Sequence, residues 1–537
     1  MAPRMLPLRR HQQETLQLVQ ELRQGREIDY ALHWVTPGGG KSLLPVIYAS
    51  GLQGGLFDRL CWLVPRDSLR KQAAEAFTTA GNFVDATGQP CLNPRLRVRE
   101  AVGYELDPAR GWAGYVTTYQ SVARYPDLHQ QEFKRARYAL VLDEPHHLAH
   151  DASWEAAVKA LWELATVRVL MTGTVERHDA RRVAFLDYDR REDGGWELVT
   201  FDHARRPVIR CSRREALAEQ SIIEVALGEA DGHARFVNTE GDLRAIEAFT
   251  EIQPGEERDA VDVTLDPKYA TELLMTGAEA WQQTLRTRPL NQLLVAAHRQ
   301  EVAKEYQRKL QLALGMEVLV AVSEDGPAAQ RAIEAFRRRQ TLILVTVGMA
   351  YEGMDAVGIS HEIILSAYRS RPWIDQLAGR AVRPDPLARV PFDQQVATIY
   401  APNDPLMREI LRGITEEQRA AARDPRVPID PPSGPRGPRE LGEGEGDAVG
   451  PLVLDAGLTA VAWRQLFGLT PRTPGEEEQY ARQQIERRTR RIDRSRGVEA
   501  GTTNREIRET FGKPREAMTL AELGMVWGFL NQRYPDA

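Results

Sequence analysis

The chain has 537 residues, of which 42% are hydrophobic and 27% charged, and its formal net charge is −6. This length predicts about three or four domains, and this composition is typical of a globular protein rather than a disordered or fibrous one. The N-terminal sequence has no apolar stretch typical of a signal peptide, and no apolar run approaches the roughly 20 residues that cross a bilayer. We therefore expect no membrane partner.

Cysteine content and net charge further limit the classes of protein to which this chain can belong. The three cysteines, Cys61, Cys91 and Cys211, are far apart in the sequence and never form a CxxC pair. This spacing argues against a disulfide framework or a structural zinc cluster, so we expect the protein to reside in the reducing cytoplasm. Because the net charge is negative, a surface for nucleic acid would have to come from the local placement of arginines.

Two series of short apolar runs, each followed by helix-like sequence, predict two parallel sheets with crossover helices. The predicted strands are 30–35, 61–64, 115–118, 138–142 and 167–171 in the first series and 291–298, 317–322, 341–347, 361–367 and 394–400 in the second. Between the two series the sequence is less regular and contains candidate hairpin strands. The fold class predicted from this pattern is α/β, with two tandem domains and an irregular insertion between them.

The C-terminal region has a different composition. Residues 424–452 are rich in proline and glycine and are predicted to form an exposed linker. The last segment is predicted to be a small helical domain, with Thr519 and Glu522 as a capping box. The predicted boundaries are 1–205 for the first α/β domain, 206–288 for the insertion or connector, 289–423 for the second α/β domain, 424–452 for the linker and 453–537 for the helical accessory domain.

A run of arginines in the helical segment allows two interpretations. Residues 482–496 contain seven arginines and two acidic residues, Glu486 and Asp493. Few apolar residues lie among them, so the run could be a solvated connecting helix or a helix that follows the phosphates of a nucleic acid. The sequence does not choose between these two.

Residues 35–42, VTPGGGKS, lie between a predicted buried strand and a predicted helix, which is the context of a phosphate-binding loop. Glycines allow backbone N–H groups to converge on phosphate oxygens at a helix N-terminus. Lys41 could then reach the terminal phosphates, and Ser42 could contact a magnesium ion. Val35 stands where such loops usually have their first glycine, and a plain glycine-rich turn is the alternative.

A second predicted buried strand ends in the sequence DEPHH. Asp143 could hold magnesium beside Ser42, and Glu144 could orient and deprotonate the attacking water. The alternative is a helix start, since acidic residues favour helix N-termini. His146 and His147 have no companion ligands at a usable spacing, which disfavours a metal site made by histidines.

Eight short motifs occur in the order and at the spacing typical of superfamily-two helicases. They are LRRHQ (8–12), VTPGGGKS (35–42), LVPRDSLRKQ (63–72), VTTYQS (116–121), VLDEPHH (141–147), LMTGT (170–174), ILVTVGMAYEGMD (343–355) and QLAGRAVR (376–383). The chain therefore resembles DEAH-type helicases of superfamily two, and among them the motor (Res) subunit of type III restriction enzymes and related helicases of bacteriophage and mobile-element genomes. Pro145 replaces the alanine of the DEAH motif.

This resemblance implies two tandem RecA-like domains of the P-loop NTPase class, with ATP and Mg²⁺ bound in the cleft between them. It also implies an ATP-dependent helicase or translocase that moves along nucleic acid or unwinds it, with DNA favoured over RNA. Two alternatives remain, a duplex translocase that acts as the motor of a restriction or defence complex without unwinding, and a nucleotide-gated nucleic-acid clamp. The sequence shows no nuclease constellation, so cleavage would need a nuclease or methyltransferase partner chain.

The resemblance also implies the roles of individual residues. The expected nucleotide-binding residues are Gln12, Thr36, Pro37, Gly38, Gly39, Gly40, Lys41, Ser42, Gly353 and Asp355. The expected catalytic residues are Lys41, Asp143, Glu144, Gln376, Arg380 and Arg383, with Ser42 and Asp143 at the metal. The residues expected to couple nucleotide state to nucleic-acid binding are His146, Thr172, Gly173 and Thr174. The expected nucleic-acid contacts are Pro65, Arg66, Thr117, Thr118 and Thr346.

Simpler interpretations exist for two of these groups. Arg380 and Arg383 are three residues apart and are predicted to share a helix face, from which they would act as arginine fingers on the first domain. A solvated helix face with a salt bridge is the alternative for this pair. Thr117 and Thr118 could instead be ordinary β-branched strand residues.

Overall fold

The structure is a computed structural model that describes residues 5–150, 152–173, 183–186, 188–190, 196–198, 204–253, 255–347, 354, 356–420, 451–464 and most of 482–534. The chain forms two units, Met1–Leu466 and Phe467–Ala537. The first unit contains two lobes, which we define as the first lobe (residues 6–218) and the second lobe (residues 224–464). No helix in the described part of the chain is long and apolar enough to cross a membrane.

The first lobe is an α/β layer structure. Its strands are β1 (Leu6–Pro7), β2 (Ala31–Val35), β3 (Arg59–Val64), β4 (Phe83–Val84), β5 (Arg99–Glu100), β6 (Gly114–Thr118), β7 (Tyr138–Asp143), β8 (Val167–Thr172), β9 (Tyr188–Arg190), β10 (Trp196–Leu198) and β11 (Val208–Cys211). Its α-helices are α1 (Arg10–Arg23), α2 (Leu44–Leu52), α3 (Asp67–Ala76), α4 (Tyr119–Arg124), α5 (Pro126–Arg135), α6 (Ala152–Leu164) and α7 (Arg213–Ala218). Short 3₁₀ helices occupy Lys41–Leu43, Phe77–Asn82 and Pro145–His150.

Seven of the described strands form one sheet in the order β11-β2-β8-β7-β3-β6-β5, and every pair in it is parallel. The central strands are buried on both faces, as parallel strands covered by helices must be. On β7, Ala139 and Val141 pack into one apolar core, and Leu140 and Leu142 pack into another. Because alternate residues of a strand point to opposite faces, these two cores cover the two faces of the sheet.

The second lobe repeats this layout around a sheet with antiparallel additions. Its strands are β12 (Glu224–Val237), β13 (Leu243–Ile246), β14 (Gln292–Ala297), β15 (Val318–Ala321), β16 (Ile343–Thr346), β17 (Ile359–Leu365), β18 (Val396–Pro402) and β19 (Leu452–Arg464). Its α-helices are α8 (Glu257–Thr264), α9 (Pro267–Thr284), α10 (Gln300–Leu314), α11 (Gly326–Arg337), α12 (Arg371–Ala381) and α13 (Pro405–Ala420), with 3₁₀ helices at Phe249–Glu251, Ser323–Asp325 and Phe392–Gln394. The sheet order is β13-β12-β18-β17-β14-β16-β15, and β19 pairs with β12.

The predicted α/β fold with two tandem parallel-sheet lobes is confirmed. Each predicted strand of the two series corresponds to a strand of the structure, from β2 to β8 and from β14 to β18. The helix predicted after the glycine loop is α2, which begins at Leu44 with a proline in its first turn. One buried apolar cluster continues from the first lobe into the second, so the two lobes pack against each other within this unit.

The stretch 206–288 differs from the predicted irregular connector, because it supplies strands to both sheets. Its first strand, β11, pairs in parallel with β2 at the edge of the first sheet. Its second strand, β12, pairs in parallel with β18 and antiparallel with β13 and β19. The sequence of β12, EVALGEADGHARFV, contains glycines and charges that weaken a strand pattern, and two of its partners lie far away in sequence.

The C-terminal segment also differs from the uniform helical domain that was predicted, since β19 belongs to the second sheet. The described helices of the second unit are α14 (Thr502–Phe511) and α15 (Leu520–Arg533), with a 3₁₀ helix at Arg515–Ala517. The capping box of Thr519 and Glu522 is confirmed at the start of α15. The predicted linker lies outside the described residues, apart from its last two positions.

Two arginines of the basic run help to hold the second unit together. Arg482 Nη2 donates a hydrogen bond to Met518 O at 2.9 Å, and Arg488 Nη2 donates one to Tyr534 O at 3.2 Å. The Arg488 guanidinium also lies 5.2 Å from the centre of the Trp527 ring. These contacts support a structural role for this pair, whichever role the rest of the run has.

Candidate nucleotide site

The carboxyl ends of β2, β8 and β7 lie side by side in the first sheet. These strands are parallel, so the segments that follow Val35, Thr172 and Asp143 leave the sheet at the same edge. Ligands of open parallel sheets bind outside this edge. The strand order therefore brings together the glycine loop, the acidic pair and the segment that contains Thr172, which are separated by up to about 140 positions along the chain.

The backbone of the loop requires its glycines. Gly38 and Gly40 have φ angles of 80° and 95°, in the left-handed region where side chains are strained. A Cβ atom at Gly39 would lie 2.6 Å from Cγ1 of Val35 and 2.8 Å from the carbonyl oxygen of Thr36. These constraints favour a phosphate-binding loop over a plain glycine-rich turn.

Two side chains of the N-terminal segment contact the loop. Gln12 Nε2 donates a hydrogen bond to Gly40 O at 3.2 Å, and Arg9 Nη1 donates to Gly38 O at 3.3 Å and also to Gly39 O. Gln12 Oε1 in turn accepts a hydrogen bond from Arg9 N at 3.0 Å, which caps α1. The sequence predicts the contact of Gln12 but not that of Arg9, which lies in the same motif, LRRHQ (8–12).

Lys41 forms an ion pair with Glu144, through Lys41 Nζ and Glu144 Oε1. Both side chains are mostly buried, with 17% and 13% of their surface exposed. Burial lowers the pKa of Lys41 to about 8, which the Asp143 carboxylate opposes and the Arg380 guanidinium enhances. Because burial disfavours the charged ammonium, an anionic ligand beside Lys41 would stabilise its protonated form.

The second oxygen of the same carboxylate is held by three groups. Glu144 Oε2 accepts hydrogen bonds from Thr172 Oγ1 at 2.8 Å and from Gly173 N at 3.1 Å, and His146 Nδ1 lies 3.5 Å away. Glu144 itself has a φ of 50°, an uncommon backbone conformation for a residue with a side chain. The structure thus joins the expected base to three of the four expected coupling residues. The fourth, Thr174, lies outside the described residues.

The donor set at this edge fits a nucleotide with its metal. Lys41 and Ser42 are the first two residues of the 3₁₀ helix that leads into α2. The backbone of Asp143 is held in place by a hydrogen bond that its carbonyl oxygen accepts from Tyr119 OH at 2.7 Å. An ammonium, a hydroxyl, a carboxylate and glycine N–H groups are the ligands that a triphosphate and Mg²⁺ require. Among the described residues, no three His, Cys, Asp or Glu side chains form a group that could hold a metal by themselves.

The second lobe packs directly on the glycine loop through α12. A Cβ atom at Gly379 would lie 2.5 Å from Cβ of Pro37, and one at Gly38 would lie 3.4 Å from Cγ2 of Val382. The carbonyl oxygen of Val382 accepts a hydrogen bond from Ile223 N at 2.7 Å. The expected motif of the second domain is therefore in contact with the loop of the first.

Of the two predicted arginines, Arg380 lies in the last turn of this helix and Arg383 lies beyond its end. Arg380 Nη1 donates a hydrogen bond to Met354 O at 2.8 Å. α12 ends at Ala381, so Arg383 lies beyond the helix and does not share a helix face with Arg380 as predicted. Gln376 Oε1 is buried without a hydrogen-bond partner in the described part of the chain. Gly353 and Asp355 lie outside the described residues.

The expected nucleic-acid contacts lie at strand ends, but three of their hydroxyl groups are used internally. Thr117 Oγ1 donates to Ala101 O at 3.4 Å, Thr346 Oγ1 donates to Ala321 O at 3.0 Å, and Thr118 Oγ1 accepts from Ser121 N at 3.1 Å as the cap of α4. All three threonines are buried. Contacts with phosphates at these positions would therefore come from backbone groups.

The remaining two expected contacts lie between β3 and α3. Pro65 is buried directly after β3, and Arg66 is the half-buried N-cap residue of α3. Because β3 neighbours both β6 and β7, this segment lies between the acidic pair and the end of β6.

Gly379→Ala tests the contact between the lobes. A methyl group here must displace the rigid ring of Pro37, and overpacking of this kind costs about 1–3 kcal/mol. We expect ATP binding to change little and hydrolysis to fall about 5–150-fold, because the lobes are held apart. Nucleotide titration and steady-state hydrolysis measure the two effects.

Gly413→Ala is the matched control, since Gly413 also lies in a helix and a methyl group there would meet only the Arg371 guanidinium, at 3.5 Å. Equal hydrolysis by Gly379→Ala, Gly413→Ala and the unsubstituted protein would contradict a catalytic role for the contact.

Residues 5–177 match the family model described as "Type III restriction enzyme, res subunit". Similar curated proteins are uncharacterized proteins of Mycobacterium leprae, 25% identical over 403 residues (74% of this chain and 63% of the relative), and of Mycobacterium tuberculosis, 26% identical over 390 residues (72% and 60%). The chain thus spans less than two thirds of the length of these relatives.

Similar solved structures include a fragment of an HsdR subunit of a type I restriction enzyme from Vibrio vulnificus, with 18% identity, a TM-score of 0.46 and coverage of 74% of this chain and 65% of that chain. Another is the Mycobacterium smegmatis helicase Lhr bound to single-stranded DNA and AMP-PNP, with 13% identity, a TM-score of 0.46 and coverage of 76% and 48%. The family match shows that residues 5–177 are similar to the res subunit of type III restriction enzymes, which confirms the resemblance to superfamily-two helicases predicted from the motifs.

Proposed function

We propose that this chain is a nucleic-acid-dependent ATPase that uses hydrolysis between its two lobes to move along DNA or to unwind it. The observation that carries the proposal is the packing of α12 on the glycine loop, beside the Lys41–Glu144 ion pair. A nucleotide at this loop would contact both lobes, so its hydrolysis would change how they fit together.

The residues of the first lobe have separate tasks in this proposal. Lys41 and the glycine N–H groups would bind the phosphates, and Ser42 and Asp143 would hold Mg²⁺. Binding of the terminal phosphate competes with Glu144 for Lys41, which frees the carboxylate to orient and deprotonate water. Thr172, Gly173 and His146 hold the other carboxylate oxygen, so they sense whether Glu144 is paired or free.

The residues of the second lobe complete the site. Arg380 and Arg383 would stabilise the charge that develops on the transferred phosphoryl group, and Gln376 offers a buried amide oxygen at the same helix. Gln12 and Arg9 would hold the loop from the other side. Expected partners are DNA and a nuclease or methyltransferase chain, in the cytoplasm.

Lys41→Ala tests the function in an assay of ATP hydrolysis with and without single-stranded DNA, duplex DNA or single-stranded RNA. We expect hydrolysis by the unsubstituted chain to be stimulated by nucleic acid, and Lys41→Ala to abolish it because the phosphate anchor is lost. Lys159→Ala is the control, since Lys159 is exposed on α6 and outside the site and the eight motifs. Hydrolysis that no nucleic acid stimulates, or that survives in Lys41→Ala, would contradict the proposal.

A second candidate function is translocation on duplex DNA without strand separation. The match of residues 5–177 to the res subunit of a restriction enzyme favours it. A forked-DNA displacement assay together with a triplex displacement assay separates the two candidates. Strand separation on the fork supports a helicase, and displacement of the third strand alone supports a duplex translocase. If nucleic acid stimulates hydrolysis but neither strand is displaced, the protein is a nucleotide-gated clamp.

A further inference from the structure

The loop between β5 and β6 exposes large apolar side chains. Tyr104 is 64% exposed, Leu106 is 66% exposed and Val102 is 58% exposed. A single exposed apolar side chain is ordinary, but several that lie together on one loop often mark a surface that binds a partner or ligand.

Tyr104 is one member of an aromatic and basic cluster. Its ring centre lies 5.6 Å from that of Tyr125, and the rings meet edge to face at 71°. The guanidinium carbon of Arg124 lies 5.5 Å from the centre of the Tyr125 ring. Arg124 is exposed, so its charge is available to a ligand that contacts Tyr104. We call Tyr104, Arg124 and Tyr125 the tyrosine platform.

The tyrosine platform lies beside the expected nucleic-acid edge of the first sheet. The carbonyl oxygen of Ala101, three residues before Tyr104, accepts hydrogen bonds from Thr117 Oγ1 at 3.4 Å and from Arg70 Nη1 at 3.0 Å. Arg124 and Tyr125 end α4, whose cap is Thr118. The platform is therefore anchored to the ends of β5 and β6, away from the β2-β8-β7 half of the sheet that carries the nucleotide site.

We propose that the tyrosine platform binds an unpaired base of single-stranded nucleic acid, with Tyr104 stacking on the base and Arg124 contacting the adjacent phosphate. This inference rests on the proposed function and favours a single strand, since the bases inside a duplex are already stacked on their neighbours on both faces. Stacking of this kind contributes about 1–3 kcal/mol per base and tolerates any sequence.

The neighbouring charges suit a strand better than a protein partner. The two acidic residues of the loop are both paired, Glu105 with Arg99 and Asp107 with Arg59, which reduces their repulsion of a phosphate. Backbone groups at Thr117 and Thr118 would position the strand without reading its sequence, and the platform adds a base contact that these buried hydroxyls do not supply.

The test compares binding of a labelled 20-nucleotide oligothymidylate, an abasic strand of the same length and a 20-base-pair blunt duplex by fluorescence anisotropy at constant salt. We expect Tyr104→Ala to weaken binding of the oligothymidylate about 5–150-fold and to leave the duplex and the abasic strand unchanged. Tyr104→Phe should bind like the unsubstituted protein, because it keeps the ring. Leu106→Ala is the matched control on the same loop.

Three results would overturn the platform. The first is an unchanged affinity of Tyr104→Ala for the oligothymidylate, and the second is an equal loss of affinity for the duplex. The third is an equal loss of affinity for the oligothymidylate in Leu106→Ala, which would indicate a general apolar surface for a protein partner. Failure of the platform leaves stimulated hydrolysis intact in Tyr104→Ala. Failure of the proposed function appears instead as hydrolysis that no nucleic acid stimulates in the unsubstituted protein, with no binding of the single strand.

Discussion

Replacing Glu144 with glutamine is expected to slow ATP hydrolysis about 10²–10⁴-fold while the protein still binds ATP. Glutamine keeps the size of the side chain and an oxygen that can accept from Thr172 Oγ1 and Gly173 N. It lacks the charge needed to take a proton from water, and a general base contributes a factor of this order. The nucleotide-bound form should therefore accumulate.

Loss of the ion pair with Lys41 should also change the ATP affinity of Glu144→Gln. In the structure the ammonium is paired with Glu144, so ATP must displace the carboxylate to reach Lys41. A neutral glutamine competes less, and we expect ATP affinity to rise several-fold rather than to fall. Titration with a fluorescent nucleotide and single-turnover hydrolysis measure affinity and chemistry separately.

Glu155→Gln is the matched control, because Glu155 is exposed on α6 and outside the site. Hydrolysis by Glu144→Gln at the rate of Glu155→Gln would exclude Glu144 as the base. A loss of ATP binding equal to that of Lys41→Ala would mean instead that the carboxylate is needed to hold the loop.

The first-lobe half of the site could be predicted because each part is a short, contiguous segment that leaves a buried strand. The loop at residues 35–42 and the acidic pair can each be identified in one window, and the parallel order of β2, β8 and β7 then brings them together. The contact of Arg9 cannot be predicted in the same way, because its partners are loop carbonyl oxygens 29 and 30 residues away and no local sequence pattern indicates such a contact.

The parts that could not be predicted depend on pairing between distant segments. β12 pairs with β18 and β19, and β11 pairs with β2. The stretch 206–288, which the sequence predicts to be a connector, is therefore part of both sheets. Spacing alone also placed Arg383 on the helix with Arg380, whereas α12 ends before it. A helix end depends on tertiary packing as well as on sequence, and is the least certain part of a helix prediction.

Arg380→Ala is expected to reduce turnover by ~10³, equivalent to about 4 kcal/mol of barrier, while ATP affinity changes only a few-fold. The positive charge of Arg380 already acts on the site, since it helps to lower the pKa of Lys41. Its removal takes away stabilisation of the transition state but leaves the glycine loop, Gln12 and the metal ligands intact.

The loss of coupling separates a finger from a structural arginine. If nucleic acid stimulates hydrolysis by closing the lobes and bringing Arg380 to the phosphate, the residual activity of Arg380→Ala should no longer respond to single-stranded DNA. A structural role at Met354 predicts instead a lower melting temperature and equal losses of binding and turnover. Arg331→Ala, an exposed arginine on α11, is the matched control for loss of one positive charge in the same lobe. We would measure nucleotide affinity by titration, hydrolysis with and without DNA, and the melting temperature. A several-fold stimulation by DNA that persists in Arg380→Ala would rule out an arginine finger at this position.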